Sequence, residues 1–375
     1  MSVAVVGAFP SHEVDMISLA LSRSQVRGVF HDNAEVAKAT LPHGDAPQCL
    51  FLKTDDEAAS QFIAWMRGDP KLFSVPVIAV VNYISQRSYV DAHHWGADDV
   101  ICAGDVGSYT RRAAAVAELD PTVGAKPVQG RAIVAHRDRG RRQVLGRGLR
   151  QMGFDVSFAA LGEELRTIAT HAPVPQIVVA GSSIADGKIL DVVNGIRESV
   201  HEQDLPFVLL TAPDQLARLT ALGAQTTGIE VASESAPPDD LMFLANELLS
   251  ARTAEVRQSP RYLHGTLCGF RTAGEIRPVY GYTYNISREG IYVRTFDPPP
   301  NADRVWVEMM PPGRDRALHL RADVVWRRPP SGGVGGATPA GFGVRLNEAA
   351  CPPEDLVEYH VAYDELRANR HTALP

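Results

Sequence analysis

The segment PQCLFLK at Pro47–Lys53 returns as PQIVVAG at Pro175–Gly181. PVIAVVN at Pro76–Asn82 returns as PFVLLTA at Pro206–Ala212, and WGADD at Trp95–Asp99 returns as LGAQT at Leu222–Thr226. A duplication of domain size constrains the chain more than any composition does, because the two copies must share one fold. Within the first copy, short apolar runs (VAVVG at Val3–Gly7, VRGVF, QCLFL, PVIAVV) alternate with amphipathic stretches. Val14, Ile17 and Leu21 share one face of the first such stretch, and Phe62–Met66 and SYTRRAAAVAEL belong to later ones. Unbroken apolar strands of this kind are buried on both faces of a parallel sheet. The alternation therefore predicts a doubly wound α/β domain over residues 1–120 and a second over 131–252. DPTVGAKPVQG at Asp120–Gly130 has no apolar periodicity, and residues 121–130 are read as the linker.

After Arg252 the texture changes to strand-like runs: YLHGTLCGF, RPVYGYTYN, GIYVRT, RVWVEMM, ALHLRADVVWR and GFGVRL. In the fifth, Leu318, Leu320, Ala322, Val324 and Trp326 alternate cleanly, so Trp326 is expected in the core with Leu318. Six short antiparallel strands predict a small β-barrel over residues 253–375. A C-terminal helix with Leu356, Tyr359, Tyr363 and Leu366 on one side is expected to pack on it.

The chain has 375 residues, of which 45% are hydrophobic and 22% charged. That is ordinary globular material for two to three domains. A formal net charge of −7 argues against nonspecific DNA binding as the main activity. No run is long and apolar enough for a membrane span, and the N-terminus has no signal-peptide pattern, so a cytoplasmic location is expected. Cys49, Cys102, Cys268 and Cys351 form no Cys-x-x-Cys pair and read as small hydrophobes or idle thiols. His93 and His94 beside Asp98 and Asp99 fit no common ligand spacing and are expected to be exposed helix residues, not a metal site. SGGVGGATPAG at Ser331–Gly341 lies between strands and reads as a flexible loop. No nucleophile elbow, Walker loop or His-Glu-x-x-His helix is present, so no enzyme activity, cofactor or metal is expected.

The two α/β units resemble response-regulator receiver domains, on the P-x-(apolar run), PVI and GADD landmarks. That resemblance implies a phosphorylation site made of an acidic pair, an acceptor aspartate, a Ser/Thr and a lysine. Here Gly7 and Ala8 stand at the acidic pair and Lys53 at the acceptor of the first unit, and the lysine position near Cys102–Gly104 holds none. In the second unit His136 and Arg137 replace the pair, Gly181 replaces the acceptor, and Thr211 is kept. Asp55, Asp56 and Asp138 are shifted acids, better read as loop residues. Both units are therefore expected to be pseudo-receivers that serve as protein-interaction surfaces through their last strand and helix.

VRQSPR carries Arg257 and Arg261 on a segment that Pro260 keeps from being helical. Downstream, YNISREG supplies Asn285, Ser287 and Gly290 in a turn between strands, with Ile291 and Val293 pointing one way and Tyr292 and Arg294 the other. Guanidinium forks bind phosphate bidentately and stack on purines. The Arg-x-x-x-Arg segment, the Asn-x-Ser-x-x-Gly turn, ADVVWR and GFGVRL together resemble the PilZ domain family, over about the last third of the chain. That resemblance implies a cyclic di-GMP receptor in which Arg257 and Arg261 contact phosphates and guanine faces. Asn285 and Ser287 would bond a guanine edge or phosphate, and Gly290 would permit close backbone approach. Arg288, Trp326 and Arg327 are weaker candidates. Two plainer readings remain: Arg257 as a solvated helix-end residue and Arg261 as one arm of a surface salt bridge, worth roughly 0–1 kcal/mol.

The expected protein is a non-enzymatic effector that binds cyclic di-GMP and regulates bacterial motility or surface polysaccharide through protein contacts of its pseudo-receivers, with motility or chemosensory machinery among the partners considered. Ligand binding is expected to order Arg252–Arg261 and reorient the domains. A PilZ-fold scaffold without ligand and a phosphorylation-controlled regulator are the alternatives. A homodimer is left open.

Overall fold

The structure is a computed structural model that describes residues 2–54, 57–117, 130–185, 188–223, 225–250, 259–330 and 338–368. Asp55, Asp56, Arg257, most of the 121–130 linker and most of the loop from Ser331 lie outside the described residues.

The first unit runs β1 (Ser2–Val6), α1 (Ser11–Arg23), β2 (Arg27–His31), α2 (Ala34–Thr40), β3 (Cys49–Lys53), α3 (Glu57–Gly68), β4 (Val77–Val81), α4 (Gln86–Trp95), β5 (Asp99–Cys102) and α5 (Val106–Ala117). Its parallel sheet has the order β2-β1-β3-β4-β5. The second unit repeats it: β6 (Gly130–Ala135), α6 (Arg139–Gln151), β7 (Phe154–Ala159), α7 (Gly162–Thr170), β8 (Ile177–Gly181), α8 (Ile189–Val200), β9 (Phe207–Thr211), α9 (Pro213–Gly223), β10 (Ile229–Ser233) and α10 (Pro238–Ser250). Its order, β7-β6-β8-β9-β10, is the same winding. The repeated segments explain this directly. VIAVV in β4 and FVLLT in β9 are buried at every position, as strands covered by helices on both faces must be.

The third unit consists of β11 (Tyr262–Leu263), β12 (Leu267–Thr272), β13 (Val279–Ser287), β14 (Gly290–Arg294), β15 (Arg304–Met309), β16 (Leu318–Arg328), β17 (Gly341–Leu346) and α11 (Pro353–Ala368). Strands β12 to β17 close through the β13–β14 pairing into a six-stranded antiparallel barrel. YLHGTLCGF, which reads as one strand, is two. The chain breaks pairing at His264–Thr266, and β11 adds to the outer end of β13. Leu318, Leu320, Ala322, Val324, Ile291 and Val293 fill the barrel, with Tyr359 and Tyr363 of α11 packed against that core.

Adjacent acids in the GADD segment hold the three units together. Asp98 accepts from Arg67 of its own unit at 3.1 Å and pairs with Arg147 of the second unit at 2.7 Å. Asp99 turns the other way. It pairs with the buried Arg112 at 3.0 Å and accepts from the backbone of Phe296 in the barrel at 3.0 Å. Arg112 continues to Asp297 at 3.0 Å and Thr295 at 3.2 Å. Between the second unit and the barrel, Arg294 pairs with Asp239 at 3.3 Å and Asp240 at 2.5 Å. Desolvated charges of this kind are tolerated because each has an opposite partner in bonding geometry.

These contacts change the expected use of the receiver surfaces. Gln86 of α4 bonds Leu267 and Thr266 of the barrel, α5 and β5 carry the Arg112–Asp99 pair, and Phe243 of α10 stacks edge-on with Tyr284. The last strand and helix of the first unit and the last helix of the second face this chain's own barrel.

His93 also departs from the exposed placement expected of it. It is 2% exposed, not a surface residue, and its ring lies against Tyr282 and Tyr89 at the seam with the barrel. Burial, reinforced by the nearby Arg294 guanidinium, pushes its pKa from 6.5 down to about 3. The unfolded chain therefore takes up a proton between those values that the folded chain refuses. The stabilisation is full above pH 6.5 and is lost progressively as pH falls towards 3, on the order of 2–4 kcal/mol. Melting curves from pH 7 to pH 4 should show this loss. Burial depresses His94, His136 and His264 in the same sense. His93→Gln should remove the largest single share of the slope.

Candidate functional site

Lys53, at the acceptor position, lies across Gly7, where the acidic pair would begin. Its ammonium donates to the Ala8 carbonyl at 3.1 Å and sits over the Phe9 ring at 5.7 Å. In the second unit the His136 ring covers Gly181, so that a Cβ there would meet it. Burial lowers the His136 pKa, and its Nδ1 accepts from the Asp138 backbone at 3.0 Å. Thr211 is buried, with its hydroxyl accepting from Ser182 at 3.1 Å. Asp138 is the N-cap of α6, accepting from Arg141 N at 2.6 Å. A lysine and an imidazole thus occupy the space around both acceptor positions.

The barrel carries the other candidate site on its outer face. Beside the turn the strand residues alternate in direction, inner residues being Ile286, Ile291 and Val344. The outer set is fixed by register: Asn285 opposite Tyr292, Ser287 opposite Gly290, Gly290 opposite Arg345, and Tyr292 opposite Gly343. Trp326 also lies opposite Gly343, because β16 bulges between Val324 and Trp326. The extra residue is Val325, which is 46% exposed. A bulge shifts the alternation by one position, so every side chain beyond it changes face. Trp326 consequently leaves the face of Leu318 and stacks on Tyr292, with ring centroids 4.8 Å apart and planes 15° from parallel. The core placement expected from period-two alternation is overturned by that one residue.

Arg261, Asn285, Ser287, Glu289, Gly290, Tyr292, Trp326 and Arg345 line one recess of about 150 Å³. Four residues expected at the site are therefore brought together: Arg261, Asn285, Ser287 and Gly290, joined by the weaker candidate Trp326. Two are not. Arg288 points to α11, where it pairs with Asp364 at 3.1 Å with both side chains about half exposed. Arg327 is exposed and does not line the recess. Arg257 and the expected ordering of Arg252–Arg261 fall almost wholly outside the described residues.

Tyr292 and Arg345 were not expected at the site. The signal for Tyr292 is its place on the outward side of GIYV beside the turn. For Arg345 it is the period-two position after Gly343. Tyr292 is 3% exposed, donates to the Pro339 carbonyl at 2.6 Å, and is held above the usual tyrosine range by burial.

Two glycines of the barrel wall have a packing reason. A Cβ on Gly343 would run into the Trp326 indole, and one on Gly290 would collide with the Val344 carbonyl of β17. Gly290 therefore permits close backbone approach, but between strands of the barrel wall. Gly290→Ala should force β14 from β17 and cost about 1–3 kcal/mol. A thermal melt that matches the parent would contradict this.

The PilZ domain family matches residues 255–361. No curated protein matches the chain. Among solved structures, the Bacillus subtilis inhibitor of motility aligns at 16% identity over 31% of this chain, with a TM-score of 0.25. The match spans about half, 53%, of that protein. A probable two-component response regulator/GGDEF domain protein aligns at 15% identity over 67% of this chain and 98% of its own, with a TM-score of 0.31. The receiver domain of a histidine kinase from Syntrophus aciditrophicus aligns at 18% identity over 33% and 96%, with a TM-score of 0.27. A closed six-stranded barrel with a terminal helix, coinciding with the family match over residues 255–361, identifies the C-terminal unit as a PilZ domain.

Proposed function

We propose that this chain is a cyclic di-GMP-binding effector, with the nucleotide seated in the recess on the outer face of the barrel. The observation that supports it is the assembly of Arg261, Asn285, Ser287 and the Tyr292–Trp326 stack around one recess. Each part suits a piece of the ligand. A guanidinium answers the phosphate charge, an amide and a hydroxyl answer the base edge, and an aromatic face supports a purine. The recess is smaller than the roughly 300–1,000 Å³ of a complete small-molecule pocket, so it suits one base and its phosphate. The family resemblance gives Arg257 a role beside Arg261 in holding the remainder of the nucleotide.

The effector role is non-enzymatic, and the nucleotide is a ligand and not a cofactor. Motility or surface polysaccharide as the output, with a protein partner, follows the family resemblance. Because the last helices of both receiver-like units pack on the barrel, such a partner meets other surfaces. Calorimetric titration of the full chain with cyclic di-GMP tests the reading. Saturable binding is expected, and absence of heat at high micromolar ligand with folded protein would favour the scaffold.

A further inference from the structure

We infer that the C-terminal helix is a positioning clamp for the nucleotide site, with Tyr359 fixing the turn and Tyr363 fixing the arginine arm. The inference rests on the cyclic di-GMP reading. Helix α11 is anchored to the barrel at several points along its length. Asp355 accepts from the His319 backbone at 2.9 Å and from Arg316 at 2.8 Å, and Arg314 pairs with Glu358 and, at 2.9 Å, with Glu365. These bonds hold the helix to the β15–β16 side of the barrel.

The helix also reaches both motif segments. The Tyr359 hydroxyl, on a fully buried ring, donates to the carbonyls of Ser287 at 2.7 Å and Gly290 at 3.1 Å, the two ends of the turn. One turn of helix later, the Tyr363 hydroxyl donates to the Pro260 carbonyl at 3.0 Å, immediately before Arg261. The Tyr363 ring also packs against Tyr262, immediately after it, at 5.6 Å between centroids. The arm and turn are tied to each other as well, through the Arg288 backbone N–H donating to the Ser259 hydroxyl at 3.4 Å. Tyr363 touches both neighbours of Arg261, so it sets where that guanidinium starts from. Neither tyrosine lines the recess, so they act through the segments they hold.

The test is a double-mutant cycle in the full chain, with cyclic di-GMP titrated by calorimetry. Tyr363→Phe keeps the ring and removes the hydroxyl that bonds Pro260 and Ser259, and is expected to weaken binding about fivefold. In an Arg261→Ala background the same change should have almost no further effect, because the residue it positions is gone. If the parent binds and Tyr363→Phe binds equally well, the clamp is overturned while the site stands. An equal loss in both backgrounds also overturns it, since that is what general loosening of the barrel would give. A silent parent overturns the site reading itself, and the clamp with it. Should Tyr363→Phe fail to fold, Ser259→Ala takes its place in the cycle with the same expected and overturning results.

Discussion

Arg261→Ala should weaken cyclic di-GMP binding about 10- to 100-fold and leave the fold intact. The size follows from removing a charged donor from a phosphate or a purine edge, about 1.5–3 kcal/mol. The selectivity follows from position. Arg261 is an exposed residue at the rim of the recess, where substitutions usually change stability by no more than about 0.5 kcal/mol. Asn285 differs, being only 6% exposed, so its replacement would mix binding with packing. Arg257→Ala is expected to behave like Arg261→Ala. Calorimetry alongside thermal melting separates the two effects. Parent-like affinity in both arginine variants would remove the arm from the site even if the barrel still bound the nucleotide.

Arg294→Met should be the most damaging single change in the chain. The Arg294 side chain is 1% exposed and pairs with both Asp239 and Asp240, and its guanidinium lies 4.7 Å from the Tyr284 ring centre. Methionine fills much of the volume but leaves two adjacent carboxylates at the junction of α10 and the barrel. Burial already holds both above the usual aspartate range, with Arg294 opposing that rise. Removing one member of a buried ion pair costs about 3–5 kcal/mol, mostly through the charge left behind. Melting should show a large fall in Tm, with the barrel and second unit unfolding as separate transitions. Adding Asp239→Asn and Asp240→Asn to Arg294→Met should restore much of the loss. A triple variant no better than the single one would show that lost packing on Tyr284, and not stranded charge, dominates.

The elements of the molecule were legible because they are local. The duplicated apolar runs dictate two parallel sheets, and six alternating runs dictate a barrel. The turn at Asn285–Gly290 and the outward direction of Tyr292 and Arg294 follow from alternation on short strands. Alternation failed in β16, where a bulge at Val325 moved Trp326 from the expected core to the recess. Nothing in ADVVWR marks that bulge, since unbroken alternation would place Val324 and Trp326 inwards together. His93 was misjudged for a related reason. A helix read alone shows one buried face, and the seam with the barrel buries a second.

GADD shows where the limit lies. The sequence by itself determined that these residues close a helix and open the fifth strand of an α/β domain. The corresponding segment of the second copy, LGAQT, carries no acids. Only the tertiary structure decided what the acids are for. Asp98 binds the second unit through Arg147, and Asp99 binds the barrel through Arg112 and the Phe296 backbone. The physical reason is range. Strand and helix formation depend on neighbours a few residues away. An ion pair depends on which distant surfaces meet in a dry interface, and no local pattern in this chain records that meeting.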